Sequence, residues 1–384
     1  MKITRILATE VHVPFRSGWT DSPQYGTSSW KTLSKWILEI TTSDGLSGLG
    51  ETPRGIGRAA VERIARHLLG RDLGSVNLSQ IMIPPGGDGY ALSPVDSENR
   101  GPDWEYHIAD RTPFFGFEIA LWDLMARRAR LPLFQIFGGA WRDRVPMGFW
   151  IGRMTPADAA RQVEIAMEMG FRSLKMKAFP QDDIAGIVRA VRSAAGFAMP
   201  IVIDPNRKFH RFREALDIDF SLRDQTDIAY EDPFPYHPAE WQEFRRATGR
   251  PLILHAIAAG VGADPHRVAQ DGACDYVNIS PFSAREILTD AATAARHRLL
   301  HWQGTGLDLG IIDAFLLHTS AAAQTASLPG DAIGHLLRED DLIEEDLKPV
   351  ESAIPVPTGP GLGVTLDRRR MESYRVDQMD FTLP

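Results

Sequence analysis

The sequence has a single cysteine, Cys274, among 384 residues, so no intramolecular disulfide can form and a reducing cytoplasm suits the chain. The setting of that cysteine, GACDYVNIS, is apolar and marks it as a core residue. No apolar run approaches the roughly twenty residues of a membrane span. The opening stretch MKITRILATEVHVPF alternates like a strand and lacks the apolar region and cleavage site of a secretory signal. Positive charge is in deficit, with 42 Lys and Arg against 50 Asp and Glu and a formal net charge of −8. That balance argues against nucleic acid or an anionic membrane as partner, and leaves small anionic molecules open. A glycine-rich phosphate-binding turn is missing too. The nearest stretch, GVGADP at 260–265, is incomplete and follows a late strand. These absences describe a soluble, cytoplasmic protein.

What is present is ordinary globular material, 43% hydrophobic and 24% charged. The first fifty residues hold two alternating, β-rich segments, ITRILATEVHVPF and KTLSKWILEITTSDG. Between them runs SGWTDSPQYGTSSW, whose Gly, Ser, Pro and aromatics suit a lid or binding loop. Residues 83–113 have little periodicity and read as a long loop. FGFEIALWDLMARRARL then has apolar residues at helical spacing and stops at FGGAW.

From there strand-like and helical segments alternate. The strands are VPMGFWIG, FRSLKMKAF, MPIVIDPN, TDIAYEDPF, RPLILHA, CDYVNIS and RLLHWQ. Points near successive strand ends, at Lys177, Asp204, Glu231, His255 and Ser280, lie 27, 27, 24 and 25 residues apart. That period fits strand plus helix plus two loops, and repeated units of this kind require a parallel sheet. Polar residues at successive strand ends favour a closed barrel over an open sheet, because a barrel gathers those ends around one mouth.

In FRSLKMKAF the alternation of a strand puts Leu174, Met176 and Ala178 on one side and Lys175 and Lys177 on the other. Asp204 in VIDPN and Glu231 in YEDPF end neighbouring strands, where two close carboxylates need a shared proton or a cation. Mg²⁺ suits such hard oxygen ligands. Each acid could instead be paired with an arginine. A lysine crowded by a second cation serves as a general base, and a facing metal stabilises the enediolate left when an α-proton departs. A strand-end lysine also suits a Schiff-base aldolase, against which the paired carboxylates argue.

These segments resemble the enolase superfamily in its mandelate racemase/muconate lactonizing branch. EIALWDLMARRARLPLFQIFGG is similar to the helix and glycine turn leading into that family's barrel, LKMKAF to its K-x-K strand, and VIDPN and YEDPFP to its first two metal-ligand strands. IPVPTGPGLGVTLD resembles the segment that returns to the capping domain. The resemblance implies an α/β fold, a (β/α)7β modified TIM barrel with an α+β capping domain. Residues 1–120 would form the cap with its lid near 17–30, residues 121–350 the barrel, and 351–384 the return to the cap. It implies Mg²⁺-assisted abstraction of the α-proton of a small carboxylate, with Lys177 as base, Lys175 as its electrostatic partner, Asp204 and Glu231 as metal ligands, and a homo-oligomer.

The third metal-ligand strand departs from the family pattern. PLILHAIAAG offers His255 and then Ala256 where an acid is expected, with no carboxylate before Asp264. A neutral imidazole there would tilt the choice toward Mn²⁺ or another softer divalent ion, or His255 would act as an acid. The sixth strand offers Asn278 and Ser280 in place of a Lys or Asp. On the seventh, His301 is a candidate general acid, with Asp308 to orient it. One base facing one acid suits dehydration of a polyhydroxy (sugar) acid, a lyase reaction. A racemase, epimerase or cycloisomerase is the alternative, as is a non-catalytic relative with a degraded metal site. Trp19, Tyr25 and Arg54, with Asn206, are the expected substrate-binding residues.

Overall fold

The computed structural model describes residues 1–16, 32–75, 112–255, 265–279, 284–331 and 334–384. The lid segment with Trp19 and Tyr25, as well as Ser280 and Asp264, lies outside them. Among the described residues no helix is long and apolar enough to cross a membrane.

Both ends of the chain build one antiparallel sheet in the order β13-β1-β2-β3, from β1 (Ile3–Pro14), β2 (Thr32–Thr42), β3 (Ser47–Glu51) and β13 (Arg375–Thr382). In β2 the alternation sends Trp36, Leu38 and Ile40 into a core shared with helices α1 (Arg58–Leu68) and α2 (Phe115–Ala129). Leu33 and Ile37 face the larger core instead. Lys35 shares their side of the strand. Strand β3 and α2 touch backbone to backbone: a Cβ at Gly50 would overlap the carbonyl oxygen of Gly116. Glycine is needed there because only a bare Cα allows that approach.

After the short strand β4 (Arg144–Pro146), seven parallel strands follow in chain order. They are β5 (Phe149–Ile151), β6 (Leu174–Lys177), β7 (Ile201–Asp204), β8 (Ile228–Glu231), β9 (Leu252–His255), β10 (Tyr276–Ile279) and β11 (Leu300–Gln303). Helices lie between them: α3 (Pro156–Glu168), α4 (Ile184–Ala195), α5 (Phe212–Phe220), α6 (Pro238–Thr248), α7 (Pro265–Asp271) and α8 (Ala284–His297). Local chemistry sets the helix ends. The Thr155 side chain accepts from the Asp158 amide with Pro156 in the first turn, and Asp183 accepts from the Gly186 amide. Gly196 and Gly249 close α4 and α6 at φ of 73° and 67°.

The two outer strands of the parallel sheet are linked by residues 325–330. His301 donates its amide to Thr325 and accepts from Leu328, while Gly330 exchanges backbone bonds with Pro146 and Gly148. This irregular stave leads to Asp331. Helix α9 (Gly310–Ala322) packs beyond it, buried along almost its whole length. The β12 strand (Ala353–Pro355) pairs with β4.

Candidate active site

Register decides what meets at the C-terminal ends of the parallel strands. Lys177 stands beside Asp204 in the β6–β7 ladder. Asn278 stands beside His255 on one side and Trp302 on the other. Neighbouring residues in a parallel ladder point to the same face, so these side chains line one interior.

Lys177 Nζ donates to Asp204 Oδ2 at 2.6 Å and to Asn206 Oδ1 at 2.5 Å. The other oxygen of Asp204 accepts from the Asn206 amide at 3.0 Å, which folds the turn back over the strand end. Asn206 sits at φ 47°, a left-handed conformation that asparagine tolerates. Lys175 Nζ lies deeper. It is 2.8 Å from Glu231 Oε2, 3.0 Å from Glu231 Oε1, 3.0 Å from Asp331 Oδ2 and 3.3 Å from Asp204 Oδ2. Asn278 donates to Glu231 Oε1 at 2.9 Å. The Trp302 ring centroid is 5.7 Å from Lys175 Nζ.

The electrostatics follow from burial and charge together. Burial opposes the Lys175 ammonium, but Asp331, Glu231 and Asp204 outweigh it and hold it well above the usual lysine range. Burial likewise opposes the Asp204 carboxylate, yet Lys177 and Lys175 keep it well below the usual range. Glu231 is pushed up to about 8, first by burial and then by the charge of Asp204. Asp232, next along the chain, is raised to about 7 by burial and accepts the His255 amide at 3.1 Å. Burial and the neighbouring Asp204 charge thus make Glu231 the acid that holds a proton near neutrality.

The sequence-predicted residues Lys175, Lys177, Asp204, Asn206, Glu231 and His255 come together here. His301 does not. It is paired with Val277, one residue out of phase with Asn278 and Trp302, so it points outward from the interior. Its Nδ1 lies 3.0 Å from Thr325 Oγ1, and burial followed by Arg142 lowers it to about 3. A ring that is neutral and turned away is not the general acid expected above. Asp308 does not orient it either; its Oδ1 is 2.5 Å from Lys35 Nζ. Arg54 is half-buried in the turn after β3. Asp331 is not legible in the sequence, because its stave is too irregular to look like a strand. The signal that could have found it is an acid at the Pro-Gly turn, one period after His301.

The expected metal triad is also corrected. His255 Nδ1 is 3.8 Å from Glu231 Oε1, and burial with the nearby Lys175 lowers the ring to about 3. Among the described residues, no three His, Cys, Asp or Glu side chains are arranged to hold a metal ion, since Lys175 Nζ stands where the carboxylates converge. Their chemistry nonetheless fits a hard divalent cation. Two of their buried oxygens, Glu231 Oε2 and Asp331 Oδ1, accept no hydrogen bond.

Residues 158–370 match the family model described as Enolase C-terminal domain-like. The chain belongs to the enolase superfamily, in its mandelate racemase/muconate lactonizing branch. It is 26% identical over 388 residues to an o-succinylbenzoate synthase of Geobacillus stearothermophilus, covering 97% of this chain and 94% of that one. It is 26% identical to a cis-3-hydroxy-L-proline dehydratase of Roseibium aggregatum, over 73% of this chain and 72% of the relative. It is 30% identical to an N-succinylamino acid racemase of Thermus thermophilus, over 65% and 67%. Among solved structures, the fold matches an N-succinyl Arg/Lys racemase of Bacillus cereus ATCC 14579, with a TM-score of 0.79, 18% identity and 99% and 100% coverage. It also matches a mandelate racemase/muconate lactonizing family protein of Roseovarius nubinhibens ISM complexed with magnesium, with a TM-score of 0.75, 22% identity and 99% and 100% coverage. These superfamily relatives include lyases and isomerases.

Proposed function

We propose that this superfamily member abstracts the α-proton of a small carboxylate substrate, with Lys177 as the base. The observation that carries this reading is the fixed position of Lys177 Nζ at the mouth, held by Asp204 and Asn206. A base anchored at one point needs no reorganisation when the substrate arrives. A proton taken by Lys177 leaves an enediolate, and Lys175 supplies a permanent positive charge a few ångströms away. Asp204 and Glu231 are the residues that would hold a divalent ion, and a bound ion supplies charge stabilisation for that enediolate.

Elimination of water from a polyhydroxy acid is the favoured outcome. Racemisation needs a base on each face of the substrate, and the interior side chains opposite Lys177 among the described residues are Asn278 and Trp302. With His301 turned outward and His255 neutral, the proton for the departing β-hydroxide comes from Lys177 itself. It takes the α-proton and returns it to the leaving oxygen on the same face, so one water leaves and one C=C bond forms. Likeness to a dehydratase supports this reading. Likeness to a racemase favours an isomerase as the second reading.

The test is incubation of the protein with a panel of sugar acids and N-acylamino acids in D₂O, followed by NMR. Exchange at the α-carbon with loss of the β-hydroxyl supports the lyase. Exchange with inversion and no loss of water supports the isomerase. Ligand binding with no exchange in any member of the panel would sink both.

A further inference from the structure

A run of positive charge that the function above leaves unused lies in RKFHRFR, residues 207–213, which leads from β7 into α5. Five of its seven residues, Arg207, Lys208, His210, Arg211 and Arg213, are basic, in a chain whose formal net charge is −8. Arg211 and Arg213 are exposed and form no ion pair among the described residues, while Arg207 and Lys208 are half-buried.

The two aromatic residues of the run hold its backbone in place. Phe209 is fully buried, with its ring edge-on to Tyr230 at a centroid distance of 6.3 Å and its amide 3.2 Å from the Pro233 carbonyl oxygen. The Phe212 ring packs edge-on against Phe234 and Phe244, 6.3 Å from each. The Arg207 amide donates to the Asp232 carbonyl at 2.6 Å. Asn206, Arg207 and His210 sit at φ of 47°, 67° and 56°, a conformation uncommon outside glycine that these anchors impose. The charges are therefore carried on a fixed rim at the C-terminal ends of the strands.

Position ties this rim to the chemistry. Arg207 follows Asn206, whose side chain accepts from the Lys177 ammonium at 2.5 Å, and its charge reaches His255 and Asp232. So many like charges beside a catalytic base repel one another unless an anion is shared among them.

We propose that Arg207 and Lys208 receive a second anionic group of the substrate, remote from the carboxylate at its α-carbon, and that Arg211 and Arg213 draw such dianions to the mouth. This deepens the functional reading above and rests on it for the first carboxylate. The substrate class is then a polyhydroxy acid whose far end carries a carboxylate or a phosphate monoester. Arginine offers a planar fork to either group and lysine a point charge. A neutral hydroxymethyl end satisfies neither cation, so the loop discriminates against monoacids. The exposed arginines act by steering, which salt screens.

The experiment measures dissociation constants by calorimetry for matched aldonates, aldarates and 6-phosphoaldonates of the gluco, galacto and manno series, with MgCl₂ present. The proteins are wild type, Arg207→Asn, Lys208→Gln and Arg223→Gln, each checked for folding by circular dichroism. Asparagine tolerates the left-handed backbone at 207. Arg223, stacked over Phe220 past the other end of α5, controls for the loss of one positive charge. Wild type is expected to bind one kind of dianion at least tenfold more tightly than the matching monoacid, and the tighter kind identifies the far group as carboxylate or phosphate. That preference is expected to fall within threefold in Arg207→Asn and Lys208→Gln, to persist in Arg223→Gln, and to shrink for wild type at about 0.5 M NaCl. If Arg207→Asn fails to fold, Lys208→Gln decides. A monoacid bound as tightly as its dianions, a preference that survives both loop substitutions or is lost equally in Arg223→Gln, or no binding of any dianion overturns the proposal. α-Proton exchange in D₂O on the same panel separates this proposal from the function it rests on. Exchange without dianion preference leaves the reaction standing and removes the subsite. Dianion preference without exchange in any compound keeps the subsite and removes the reaction.

Discussion

Lys177 and Asp204 stand side by side in one parallel ladder, with Nζ 2.6 Å from Oδ2. The proposed base and the carboxylate that holds it are therefore set by strand register rather than by a loop. The pair is preorganised because moving either residue requires breaking the β6–β7 backbone bonds.

Replacing Lys177 with Ala is expected to lower α-proton exchange by at least about a hundredfold, the usual scale of a lost general base. Asp204 keeps Lys175 at 3.3 Å, so the fold should survive. Exchange is read by NMR in D₂O and the fold by circular dichroism. Wild-type exchange in a folded variant removes Lys177 from the mechanism.

A second cation is buried between β2 and the loop after β11. Lys35 Nζ, fully buried on the barrel side of β2, is 2.9 Å from Glu51 Oε1 and 2.5 Å from Asp308 Oδ1. Glu51 also accepts the Leu309 and Ile312 amides at the start of α9. This network fastens the antiparallel sheet to the loop after β11. Lys35→Met leaves two buried carboxylates without their cation, and a cost of about 3–5 kcal/mol is expected. Urea unfolding measures it, and an unchanged midpoint would contradict the role.

Gly50→Ala is expected to destabilise by about 1–3 kcal/mol, because its Cβ overlaps the Gly116 carbonyl and the two segments must part. Thermal unfolding of the single variant is enough to decide this.

His301 gives a pH signature. Its folded-state value is lowered from 6.5 to about 3, so between those values the unfolded chain takes up a proton that the folded chain refuses. Stability from the neutral ring is complete above about pH 6.5 and is lost as pH falls toward 3. Relative to His301→Gln, wild type should lose up to about 1.4 kcal/mol per pH unit across that window. Urea midpoints of both proteins at pH 7, 6 and 5 check the sign. A constant difference between them shows that the ring does not titrate as described.

The sequence by itself determined much of this protein, because alternation and period are local properties. The placement of Lys175 and Lys177 on one side follows from a two-residue repeat, and the spacing of Asp204, Glu231 and His255 from a strand–helix period. The family resemblance rests on the same segments. Tertiary structure alone decided three other matters. A shift of one residue in register turned His301 outward and Trp302 inward, which local pattern cannot fix when both residues are buried. The closing stave brought Asp331, more than 150 residues from Lys175 in the chain, against its ammonium. Asp308, adjacent in sequence to the strand that bears His301, was drawn instead to Lys35 on the opposite sheet, because a buried ammonium needs its carboxylates wherever the fold supplies them.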